Sequence, residues 1–310
     1  CHIRPIFLRS KKRCQRREVR FSLNYDIQHV SSYKYDNSVA SARCIIRLKP
    51  RVTRNQRLSR CSFDVSPDPS YVSERVDFFG NNILELMIRE SHSVLKVSLS
   101  ARAHVQAPDY PAAALTPSWE TIHCDALRIK DLSPLSPAHF IFPSRHVPLE
   151  SAVTAYARES FTLGRPILEA ALELMTRINR DFKYDPSATH VATPLLEAFV
   201  KRGGVCQDFA HIMIAGLRGI GIPAAYVSGY IRTIPPPGEP RLEGADASHA
   251  WISVWCGGGV GWIDLDPTNN MLISDDHIVV ATGRDYADVS PIDGIFVSSG
   301  QQKLDVEVDI

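Results

Sequence analysis

Along residues 24–106 apolar and polar positions alternate with a period of two. Tyr25, Ile27 and His29 take turns with Asp26, Gln28 and Val30, and residues 94–105 repeat the pattern through Val97, Leu99, Ala101, Ala103 and Val105. Two shorter apolar runs lie between them: 44–48, ended by Lys49-Pro50, and 83–88, which follows the turn signal Gly80-Asn81-Asn82. Alternation of this kind puts successive side chains on opposite faces of a strand, and turn residues between such runs fold the strands back on one another. The stretch predicts a small antiparallel β-domain over 24–106. Residues 107–117, with Pro108, Pro111 and Pro117, read as a linker.

Beyond the linker the period lengthens. Helical spacing covers 119–129, 149–161 and 167–182. Thr193-Pro194 opens a short helix through Phe199, with the threonine as cap and the proline in its first turn. Phe209, Met213, Leu217 and Ile220 then recur at spacings of three and four, and Gly219, Gly221 and Pro223 close that helix. Strand patterns return at 224–233, 247–256, 261–266, 277–281, 295–298 and 304–308, with a proline-rich loop at 235–244 expected to be mobile. Helices followed by an antiparallel sheet define an α+β domain over 118–310.

Composition narrows the function more than the fold. A net charge of +1 gives no general attraction to nucleic acid or to a membrane surface. No stretch approaches the roughly 18 apolar residues of a membrane span. Residues 1–23 are different: eight Arg and Lys stand against the single acid Glu18, so this basic extension is expected to be disordered. The 7 cysteines are odd in number, scattered and without a C-x-x-C pair. That pattern predicts a cytoplasmic protein without disulfides or a structural zinc site, and nothing else in the chain calls for a cofactor.

The chemistry gathers around Arg202-Gly203-Gly204-Val205-Cys206-Gln207-Asp208-Phe209-Ala210-His211. Cys206 falls where the helix begins. Unpaired N–H groups and the positive dipole end favour a thiolate there, and Asp208 is an acid suited to the same helix end. A thiolate needs a base, and the base an orienting acid. Ala247-Ser248-His249-Ala250-Trp251 and Leu265-Asp266-Pro267-Thr268-Asn269 supply both on a hairpin. A two-residue turn at Gly257-Gly258 would set His249 directly opposite Asp266, with Asp264 on the same face one step away, opposite Trp251. The glycine run leaves that register loose, so both acids stay open, with Asp266 favoured. His211, five residues after Cys206, lies about 140° round the helix and faces elsewhere. A metal site built from Cys206, His211, His249 and Asp266 matches no structural zinc spacing.

These segments, with Gly221-Ile222-Pro223-Ala224, Val227-Ser228-Gly229-Tyr230 and Gly261-Trp262, resemble the core of the transglutaminase-like superfamily. More narrowly, the chain is similar to the bacterial branch described as predicted cysteine proteases, in which a small β-domain precedes the catalytic domain. Residues 25–50 resemble its start, and Gly283-Arg284-Asp285-Tyr286 resembles its end. The resemblance implies a Cys206-His249-Asp266 triad, because the family's acid precedes Pro-Thr. It implies thiol acyl transfer on an amide bond of a peptide or protein. The backbone N–H of Cys206 is the natural oxyanion donor, and Tyr184 is a candidate for the second. Hydrolysis is the favoured outcome, since water needs no dedicated site; the alternatives are transglutamination with an amine acceptor and a non-catalytic peptide-binding module. The chain lacks the length of the calcium-dependent animal transglutaminases.

Overall fold

A computed structural model describes residues 22–232, 247–297 and 299–310. Most of the basic extension and the loop at 235–244 fall outside the described residues. Ser22 and Leu23, assigned above to the extension, instead begin the first strand.

In chain order the elements are β1 (Ser22–Val39), β2 (Ser41–Ile46), β3 (Gln56–Ser66), β4 (Tyr71–Val76), β5 (Asn82–Ile88) and β6 (His92–Gln106). Then come α1 (Trp119–Ala126), α2 (Ser151–Arg158), α3 (Ile167–Asp181), β7 (Lys183–Tyr184), α4 (Leu195–Lys201), β8 (Gly203–Gly204) and α5 (Cys206–Gly219). The chain ends with β9 (Ala224–Ile231), β10 (Ala247–Trp255), β11 (Trp262–Asp266), β12 (Met271–Leu272), β13 (His277–Gly283), α6 (Tyr286–Val289), β14 (Ile292–Val297) and β15 (Gln302–Asp309).

The N-terminal strands form two antiparallel sheets, ordered β15-β1-β6-β3 and β14-β2-β5-β4. Each is completed by a strand from the far end of the chain. By strand pairing, the expected unit 118–310 therefore gives up its last two strands, β14 to β2 and β15 to β1. Two strands also appear where alternation was not evident. In β3 a register shift between Leu58 and Arg60 puts Leu58 and Cys61 out of phase, which hides the period of two. β4 is an edge strand, exposed at most positions, so it carries no buried stripe to betray it.

The third sheet, β12-β11-β10-β9-β13, is antiparallel throughout and packs against α5. Nearly every side chain of α5 is buried, so the helix is central rather than amphipathic. Arg218 anchors its far end. It is 2% exposed and donates to the carbonyls of Phe140, Phe142, Ala224 and Arg284 at 2.6–3.2 Å. Burial lowers its pKa to about 10, so it stays charged at neutral pH while four backbone acceptors are satisfied. In α4, Pro194 stands just before the helix and makes no cap, and Thr193 accepts from the backbone of His190 instead of capping.

The free edge of β13 is closed by two buried amides of the N-terminal unit. Gln56 pairs through both side-chain heteroatoms with the N–H and C=O of Val279, each at 2.8 Å. Asn81 does the same to Thr282, again at 2.8 Å. Each amide imitates a strand, so the edge offers no template for another chain and the two halves are held in register.

Candidate active site

Cys206 is the first residue of α5 and is half-buried. Its N–H and that of Gln207 have no carbonyl four residues back within the helix, so both belong to the unpaired donors of a helix start. Asp208 reaches back and accepts from the Val205 N–H at 2.9 Å and from the Thr189 hydroxyl at 2.6 Å. A Cβ on Gly204 would stand 2.4 Å from the Asp208 carboxylate. The glycine ahead of the cysteine is thus required by the acid that pins the helix start.

His249 comes from β10 and is 7% exposed; Asp266 ends β11 and is fully buried. Their Nε2–Oδ2 distance is 2.7 Å. With Nε2 committed to Asp266, Nδ1 is the ring nitrogen left to face Cys206, whose thiolate form favours a protonated imidazole. The register that produces this differs from the one expected. Ser253 pairs with Asp264 and Val254 with Ile263, and Gly261 N–H closes on Gly257. The loop holds four residues, Gly257 to Val260, not two. Asp266 therefore comes level with Trp251, diagonal to His249 rather than opposite it. A shift of two residues preserves the face, which is why the same acid still reaches the imidazole. Asp264 lies further along that face and accepts from Trp251 Nε1 at 3.4 Å.

Two features around this pair were not anticipated from the sequence. The first is His277 of β13, whose Nε2 lies 3.3 Å from Asp266 Oδ2. Its Nδ1 accepts from the Ser274 N–H at 3.4 Å, so Nε2 carries the proton and donates. The second is Asn269, whose side chain donates to Asp266 Oδ2 at 2.7 Å. The backbone N–H groups of Thr268 and Asn269 fill Oδ1 at 2.9 and 3.1 Å. The Thr-Asn that follows Pro267 is the sequence signal for these backbone donors; nothing local points to His277, which is brought in by β9 lying between β10 and β13. Under the imidazoles, Trp251 crosses Gly229, where a Cβ would stand 2.4 Å from its ring. The glycine of Val227-Ser228-Gly229-Tyr230 makes room for the indole.

Burial opposes charge on both partners, and the hydrogen bonds outweigh it. For Asp266, desolvation would raise the pKa, but donation from His249, His277 and Asn269 holds it well below the usual carboxylate range. For His249, desolvation would lower it, but Asp266 and Cys206, by hydrogen bond and charge, push it up to about 10. The imidazolium is thus the stable form at neutral pH. Because this folded value lies above the unfolded one of about 6.5, its stabilising contribution is complete below that pH and is lost as pH rises through about 10. An NMR titration of labelled histidine is expected to show His249 protonated at pH 8, and Cys206→Ala is expected to lower its midpoint. A His249 midpoint near 6.5 in the parent protein would contradict this electrostatic picture.

His211 is not placed to serve. It is buried, its Nε2 accepts the Tyr286 N–H at 3.2 Å, and desolvation pushes its pKa well below the ordinary value. Tyr184 pairs with Gly204 across the short β7–β8 ribbon. Its phenol pKa is raised by burial first and then by the negative charge of a Cys206 thiolate, which places it in the thiol's neighbourhood. His249, Asp266 and His277 offer ligand atoms within 4.8 Å of one another. The short His249–Asp266 separation is that of a charge-assisted hydrogen bond, and five donors already occupy Asp266. That donor set fits a hydrogen-bonded carboxylate better than a cation site.

The fold and this cluster define an α+β protein with a helix-start thiol facing an imidazole–carboxylate pair. Residues 154–267 match the family described as the transglutaminase-like superfamily, and residues 25–104 match the bacterial transglutaminase-like N-terminal region. An uncharacterized protein of Mycobacterium tuberculosis is 36% identical over 293 residues, covering 92% of each chain. The chain belongs to the transglutaminase-like superfamily. A crystal structure named as a "putative cysteine protease" from Cytophaga hutchinsonii covers 93% of this chain and 92% of its own, with a TM-score of 0.71 at 22% identity, and so shares the fold. A protein-glutamine gamma-glutamyltransferase of Pseudomonas aeruginosa is 32% identical over 103 residues, which is 31% of this chain and 15% of that protein. Among the described residues no helix is long and apolar enough to cross a membrane.

Proposed function

We propose that this protein is a cysteine-dependent acyl-transfer enzyme that cleaves an amide bond of a peptide or protein through a thioester. The observation that carries the reading is the 2.7 Å hydrogen bond from His249 to the buried Asp266, set beside a thiol, Cys206, at the start of α5. The Cys206 thiolate attacks the carbonyl carbon. The oxyanion forms against the free N–H groups at the start of α5, with Tyr184 as the second candidate donor. His249, already protonated, gives its proton to the leaving amine, and the amine departs to leave the thioester. His249, now neutral, takes a proton from water, which attacks the thioester and releases the acid and the thiolate. Asp266 remains ionised throughout and fixes the tautomer.

Water is favoured as the second nucleophile because it needs no dedicated site. The Pseudomonas relative keeps an amine acceptor as the second reading. The test is to trap the acyl-enzyme from a peptide pool and read the acyl mass on Cys206. Product carrying one oxygen from labelled water supports hydrolysis; an amine adduct supports transamidation; an unmodified, slowly alkylated Cys206 would favour a binding module.

His277 enters this scheme as a positioning residue. His277→Gln is expected to lower turnover by about tenfold or less, because its 3.3 Å hydrogen bond is the longest of the five that Asp266 accepts. It is also expected to shift the His249 titration midpoint. If neither turnover nor midpoint moves in folded protein, His277 gives Asp266 no support.

A further inference from the structure

Behind the catalytic acid, between the third sheet and the N-terminal unit, lies a cavity of about 410 Å³. Cys206 and His249 do not line it, but His277 does. Its walls are largely apolar, with Phe140, Trp262 and Ile273 among them. Three charged side chains also line it: Arg51 and the exposed Arg54 from the N-terminal unit, and Asp264 from β11. Arg51 and Asp264 attract each other by charge, but among the described residues no direct ion pair joins them. Arg51 donates to Asn81 Oδ1 at 3.0 Å and is attracted by Asp77; Asp264 accepts from the neutral donors Trp251 and Ser253 and is attracted by His277. Burial disfavours charge on both groups, so each gains from a partner of opposite sign brought into the cavity. A cavity at a junction of two units, mostly apolar with a few converging polar groups, is the usual form of a small-molecule site.

We infer that this cavity is a binding site for a small dipolar molecule, an apolar L-amino acid, held by its carboxylate at Arg51 and its ammonium at Asp264. The hydrocarbon lies against Phe140 and Trp262. Neither pole alone selects this class: a simple acid would give Asp264 no direct ionic hydrogen bond, and a simple amine would give Arg51 none. The assignment rests on the charge pattern of the cavity. Only the further point, that amino acids are among the molecules peptide hydrolysis releases, rests on the reading of function above. Through His277 an occupant would lie one hydrogen bond from Asp266.

Calorimetry with the full chain tests the site without any turnover, so its failure and a failure of the amide-cleavage reading are separate results. L-leucine and L-phenylalanine are the probes, with 3-methylbutylamine and 4-methylpentanoate as the half-ligands. Both amino acids are expected to bind, and each half-ligand to bind at least about tenfold more weakly than leucine, the loss expected for one charge-assisted hydrogen bond. Asp264→Asn, which keeps shape, is expected to weaken leucine by at least about tenfold. Ala225→Leu, which fills the cavity, is expected to abolish binding and serves where the first variant folds poorly. Absence of binding by either amino acid at millimolar concentration overturns the inference. So does leucine binding that survives both substitutions, or a half-ligand that binds as tightly as leucine.

Discussion

Cys206→Ala is expected to abolish turnover while the protein keeps its fold. The thiol is half-buried at the first position of α5, and the helix is held elsewhere: by its buried apolar side chains, by Asp208 closing on Val205, and by Arg218 at the far end. Alanine is the best helix former and leaves those contacts in place. In the proposed mechanism, what disappears is the atom that would bond to the carbonyl carbon. Assay of purified variant against a peptide amide, with thermal unfolding as the control for folding, decides the matter. Substantial amidase activity in well-folded Cys206→Ala protein would sink the thioester mechanism. Alkylation gives an independent check by peptide mapping. Cys44 and Cys256 are buried, and burial pushes both thiols up to about 12, so they should react slowly at pH 6. Cys206, paired with an imidazolium, is expected to react much faster.

Asp266→Asn is expected to lower turnover on the order of 10–10³-fold, less than the about 10⁴ of a serine triad, because a thiol is intrinsically a better nucleophile than a hydroxyl and depends less on its base. The structure adds a reason for severity. Oδ1 accepts from two backbone N–H groups, and Oδ2 accepts from His249, Asn269 and His277. An asparagine must turn its NH₂ toward one of these sets. Either choice sets donor against donor in a fully buried site, at a cost of about 1–3 kcal/mol or more. The His249 midpoint should fall from about 10 toward the ordinary value, because the carboxylate supplies both a hydrogen bond and a charge. Turnover, unfolding midpoint and the histidine titration should therefore move together. Parent-like turnover in Asp266→Asn would remove Asp266 from the mechanism, whatever its distance from the imidazole.

Local rules carried much of this protein. The apolar spacing of Phe209, Met213 and Leu217 located α5 and put Cys206 at its start. Alternation located β1, β6 and most of the third sheet, and the order of motifs identified the α+β class. Cys206, His249 and Asp266 were named from residue type, spacing and resemblance. These features depend on neighbours within a few positions, and side-chain periodicity reports them directly.

What tertiary structure alone decided is non-local. The length of the Gly257–Val260 loop set the β10–β11 register, and glycines permit several lengths at little difference in cost. The face survived because a slip of two residues keeps parity, whereas a slip of one would have turned Asp266 away from His249. His277 reaches Asp266 from β13, on the far side of β9, through a sheet order that no local pattern encodes. The return of β14 and β15 to the first two sheets, and the cavity between Arg51 and Asp264, arise from pairing residues far apart in the chain. Alternation tells each strand which side to bury but leaves the choice of partner to the whole chain, where edge closure by Gln56 and Asn81 and the packing of α5 settle it.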